Sequence, residues 1–99
     1  MTNTESNSIK NYINMAKTGH YPLFFTEWLE GPLQTSQALT YRNAKKNVDQ
    51  VFDKLSKHRT IERKKTMMES FSEEERAEFI QSFFKMVERD ILQDLKTLH

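Results

Sequence analysis

Apolar residues along this chain fall into runs with helical spacing, separated by short polar breaks. In the first run Ile9, Tyr12, Ile13 and Ala16 recur three or four positions apart, which puts them on one face of a helix. That helix starts at Ser8 and ends where Gly19 stands as a C-terminal cap. Pro22 suits the first turn of a second helix, with Phe24 and Trp28, and Phe25 and Leu29, as i,i+4 pairs before Gly31-Pro32 stops it. Tyr41, Ala44, Val48, Val51, Phe52 and Leu55 then form the cleanest stripe in the chain.

Two readings compete for residues 35–59. One is a single helix running unbroken from Thr35. In that helix, however, Leu39 would point roughly 170° away from the centre of the stripe at 100° per residue. The other is a break at Thr40, whose hydroxyl suits an N-cap for a helix beginning at Tyr41. The lost phase at Leu39 favours the break. Helical order falters again over residues 56–60, where no apolar position occurs. Ile61, Met67, Met68 and Phe71 mark a shorter, strongly basic helix beyond it.

Ser72 and Glu75 then make a capping box, and Glu73, Glu74 and Glu75 oppose the helix dipole favourably. The helix they open is expected over 73–98, with Ala77, Ile80, Phe83, Phe84, Val87, Ile91, Leu95 and Leu98 along one face. Phe79 and Leu92 widen the apolar arc to roughly 220°, about twice what packing on one neighbour requires. At 1.5 Å per residue the helix would be about 39 Å long, more than the body of a small domain. Width and length together predict that it packs on its own chain and also on a second copy, with Phe79, Phe83, Phe84, Val87 and Ile91 buried. The expectation is an all-α bundle of four to five helices, dimeric, with residues 1–7 a disordered tail and 8–99 one domain.

Composition narrows the class. A chain of 99 residues has a limited core, which a partner chain could extend. No cysteine means no disulfide, no thiolate nucleophile and no cysteine metal site. A reducing cytoplasm is the expected location. The longest apolar run, Leu23-Phe24-Phe25, cannot span a bilayer, and the polar N-terminus lacks the features of a signal peptide. Net charge is only +1, yet residues 42–65 hold nine basic and three acidic side chains. Residues 66–99 hold four basic and eight acidic. This layout fits either two helices with complementary charged faces or a basic surface for an acidic partner.

Catalytic chemistry finds little support. There is no glycine-rich phosphate loop and no GxSxG elbow. His20, His58 and His99 stand alone, and Glu74 with Glu78 has no histidine or nucleophile beside it. No catalytic residue, metal site or cofactor is expected.

Two functions remain. The first is a non-catalytic helical regulator or adaptor acting by protein–protein contact as a homodimer. Its partner surface would draw on Phe24, Phe25, Trp28, Met67, Met68, Phe79 and Phe83, although the aromatic cluster around Phe24 reads more simply as core. The second is a DNA-binding regulator. About 25 residues resemble helix-turn-helix regulators, with 33–39 as supporting helix, Leu39-Thr40 as turn and 41–55 as recognition helix. The resemblance implies base contacts from Arg42, Asn43, Lys46 and Asn47, phosphate contacts from Lys57, Arg59, Arg63, Lys64 and Lys65, and dimerisation through the last helix. The turn lacks the usual glycine and no wing is visible, so the protein-contact reading leads.

Overall fold

A computed structural model describes residues 4–29 and 39–97. They form five helices: α1 (Thr4–Lys17), α2 (Thr26–Leu29), α3 (Tyr41–Leu55), α4 (Ile61–Glu69) and α5 (Glu73–Thr97), with no strand among the described residues. The protein is an all-α bundle with a long C-terminal helix.

Local chemistry at the helix ends explains most boundaries. Gly19 has φ of 90°, and the His20 N–H reaches the Met15 carbonyl at 2.9 Å while the Gly19 N–H reaches that of Ala16 at 2.9 Å. This is the Schellman closure, and a side chain at φ of 90° would be strained. Thr40 is extended (φ −83°, ψ 157°), and its Oγ1 accepts from the Asn43 N–H at 3.2 Å, so α3 begins at Tyr41 and no helix runs through from Thr35. Thr60 repeats the device at α4, accepting from the Arg63 N–H at 3.2 Å. At α5 the capping box closes both ways: the Glu75 N–H donates to Ser72 Oγ and the Ser72 N–H to Glu75 Oε1, each at 3.1 Å. These bonds hold the Glu75 carboxyl below its ordinary range. Thr40→Ala is expected to destabilise the fold by about 0.5–2 kcal/mol through loss of that cap, read as a lower urea midpoint at unchanged m-value.

Two boundaries differ from expectation. α1 begins at Thr4, four residues before Ser8 and within the stretch expected as tail, because polar residues extend a helix without leaving an apolar trace. Pro22 does not open a helix. Residues around it form turns, the Phe24 N–H closing on the Tyr21 carbonyl at 3.2 Å, and the helix shrinks to the four residues of α2. These turns carry Leu23 and Phe24, both buried, into the core, Phe24 against Phe79 and Phe83 of α5. The Gly31-Pro32 stop lies outside the described residues, as does the supporting helix expected at 33–39 except for Leu39, which is not helical.

The core is built around α5, which packs chiefly on α3 and also on α1. Phe79, Ile80, Phe83, Met86 and Val87 of α5 meet Val48, Phe52 and Leu55 of α3, Ile13 and Ala16 of α1, and Leu23 and Phe24. The Phe24 ring stands edge-on to Phe83 at 5.4 Å and to Phe79 at 5.8 Å, with Phe52 at 5.9 Å from Phe79. Edge-to-face pairs at such spacing are favourable beyond the area they bury. α4 contributes a single buried side chain, Met68.

Candidate functional site

The residues expected to face a partner divide sharply. Phe24, Met68, Phe79 and Phe83 are buried in the protein's own core and offer no surface. Their size and apolarity suit a core and an interface equally, so sequence could not separate the roles. Phe25, Trp28 and Met67 are half-buried. The rings of Phe25 and Trp28 meet edge-on at 4.7 Å, with Lys65 Nζ 4.4 Å over Phe25 and the Arg76 guanidinium 4.8 Å over Trp28. That cluster is capped by its own cations.

Among the described residues the exposed large apolar side chains lie elsewhere: Ile61 stands alone on α4, and the other three cluster on the last turns of α5. Ile91 is 39% exposed, Leu92 50% and Leu95 53%, while Phe84 is half-buried against Tyr21. Ala77, expected on the inner face, is also exposed, and Ser82 and Met86 take inner positions that a count of the stripe left out. The geometry is simple. At 100° per residue, Leu92 and Leu95 point roughly 180° and 120° away from the mean direction of Phe79, Ile80, Phe83, Met86 and Val87, with Ile91 about 80° away on the flank. So the 220° arc is not one wide face. It is an inner face along the first half of α5 and an outer strip near its end.

Below Val87 the inner side of α5 turns acidic. Asp90 and Asp94 receive Lys17 of α1 at 2.7 and 2.5 Å, which holds its ammonium above the ordinary lysine range, the hydrogen bond to Asp90 contributing most. The outer strip is flanked by Glu88, which meets Lys85 at 3.5 Å, and by Arg89 and Lys96. The Arg89 guanidinium lies 4.5 Å over the Tyr41 ring. An open groove of about 570 Å³ runs along the strip between Arg89, Leu92, Gln93, Leu95 and Lys96.

One cation of the basic middle reaches the acidic end: after the Ser72 hydrogen bonds, Lys54 helps lower the Glu75 carboxyl. Within the basic middle, Lys45 meets Asp49 at 2.9 Å. Arg42, Asn43 and Lys46 are exposed on α3. Asn47 is half-buried with its Oδ1 enclosed, so it does not project as a base-reading side chain would. Lys57, Arg59 and Arg63 are exposed, whereas Lys64 Nζ donates to the His58 carbonyl at 2.7 Å. His20 is exposed and His58 half-buried; no group of three or more His, Asp or Glu among the described residues could hold a metal ion, and no described helix is long and apolar enough to cross a membrane. No protein-family model, curated protein or solved structure matches the chain.

Proposed function

We propose that this chain is a small non-catalytic helical module that regulates or adapts another protein by direct contact, and that it self-associates through the outer strip of α5. The observation that carries the reading is the exposed set on α5, with Leu92 and Leu95 turned away from the core and Ile91 on its flank. Exposed apolar side chains that are contiguous, rather than scattered, mark interaction surfaces. A second copy fits the strip by charge. Glu88 and Lys96 stand four residues on either side of Leu92. In an antiparallel pairing centred on Leu92, each Lys96 therefore lies level with the partner's Glu88, and the two leucines meet on the symmetry axis. Three half-exposed side chains bury well under the ~800 Å² per partner of a stable interface. The dimer is accordingly weak and concentration-dependent.

The absence of native cysteine makes a clean test of the register. Leu92→Cys should cross-link to itself under mild oxidation, since a disulfide needs Cα atoms within about 7 Å. Glu88→Cys should not, but should cross-link when mixed with Lys96→Cys. Self-linking by Glu88→Cys as readily as by Leu92→Cys would exclude the antiparallel arrangement, and no linking at any of the three would exclude the contact.

A second reading, DNA recognition by α3, draws support from the Thr40 cap, which leaves Arg42, Asn43 and Lys46 exposed in the first turns of the helix. The enclosed Asn47 oxygen counts against it.

A further inference from the structure

The nine cations of residues 42–65 are not equivalent in the fold. Lys45 is paired with Asp49, Lys64 is bonded to the His58 carbonyl, Lys65 sits on the Phe25 ring, and Lys54 acts on the Glu75 carboxylate. Arg42 and Lys46 on α3, and Lys57, Arg59 and Arg63 around the α3–α4 turn, are exposed and form no ion pair among the described residues. The last three belong to one compact unit. The His58 N–H closes on the Leu55 carbonyl at 2.9 Å, the Lys64 ammonium ties back to the His58 carbonyl, and the Thr60 cap fixes the Arg63 backbone. Glu62 is the one acid between Lys57 and Lys65. An open groove of about 400 Å³ adjoins the unit, lined by His58, Arg63, Thr66, Met67 and Ser70.

We propose that this turn is a nucleic-acid binding site that grips the phosphate backbone without reading bases. Lys57, Arg59 and Arg63 supply the contacts, and the two guanidinium forks match phosphate oxygens in pairs. Two observations favour a polyanion over a protein partner. The groove offers one apolar side chain, Met67, and the unit exposes one other, Ile61, where a protein interface needs a contiguous desolvated apolar centre. The cations are also held on a turn and a helix that give the core one buried side chain, Met68, with Met67 packed against its edge, so most of this unit's surface is polar and charged. The site goes beyond the protein-contact reading and does not depend on α5.

Binding of a random duplex DNA, followed by anisotropy across a salt series, tests it. Three phosphate contacts predict a log–log salt slope of about −2.7. Arg59→Gln with Arg63→Gln should lower the affinity and flatten the slope by about 1.8, as two lost phosphate contacts require, while unfolding curves stay unchanged. Arg42→Ala with Lys46→Ala should leave both affinity and slope as they were. The monomeric variant Leu92→Glu with Leu95→Glu should keep the slope, which separates this site from the dimer. The proposal is overturned by no binding at low salt, by loss of binding in the Arg42/Lys46 variant instead, or by equal affinity for poly-glutamate, which would make the partner an acidic polypeptide.

Discussion

Replacing Phe83 by alanine is expected to lower the unfolding free energy by about 3–5 kcal/mol, the usual cost of deleting a core phenylalanine. The ring is 2% exposed and has Phe24 at 5.4 Å and Phe79 and Phe84 each at 6.4 Å. It occupies the centre of the α5 inner face, so its removal leaves a cavity that rigid helices on either side cannot close. A domain of this size has roughly 5–15 kcal/mol of total stability, so the variant should sit near its unfolding threshold at ambient temperature. Urea denaturation followed by far-UV circular dichroism measures the loss. A change under 1 kcal/mol would mean that Phe83 faces a partner instead of the core.

Phe24→Ala is expected to cost a similar ~3–5 kcal/mol, for a different structural reason. Phe24 lies on no helix; it is the side chain that pins the turns between α1 and α2 onto α5 through its contacts with Phe79 and Phe83. Its loss should therefore loosen the neighbouring Trp28 as well. As the sole tryptophan, Trp28 reports this directly through a red shift of its emission at urea concentrations below the main transition. Phe25→Ala, at a half-buried position, should cost clearly less than Phe24→Ala. Equal losses at the two positions would contradict the assignment of Phe24 to the core.

How far this architecture could be read from the chain differs from element to element. The starts of α3 and α5 were legible because side chains close the helix ends locally, at Thr40 and at Ser72 with Glu75. The α1 terminus was legible because φ of 90° selects glycine at position 19. Thr60 carried the same signal as Thr40 and passes unnoticed only because the apolar stripe after it is weak. The Pro22 region was not legible. Its i,i+4 aromatic spacing is compatible with a helix, but Phe24 packs on Phe79 and Phe83 of α5 while Trp28 pairs with Phe25, a division that spacing along the chain does not show. For α5 the width of the apolar arc was plain, but not how it is divided. Which half faces inward depends on where α1 and α3 end, and Lys17 meeting Asp90 and Asp94 marks that end. The same limit explains the partner surface: Phe79 and Phe83 were drawn toward it by residue type, while Leu92 and Leu95 are the side chains left outside.

Self-association through that outer strip is the claim on which the functional reading stands, and sedimentation velocity over a dilution series tests it most directly. The wild-type chain should show a weight-average sedimentation coefficient that rises reversibly from the monomer value between micromolar and millimolar concentrations. Leu92→Glu with Leu95→Glu should hold the monomer value throughout while its stability stays within about 0.5 kcal/mol of wild type, because both positions are already half exposed. A wild-type chain that remains monomeric over the whole range, or a double variant that associates as the wild type does, would contradict the account.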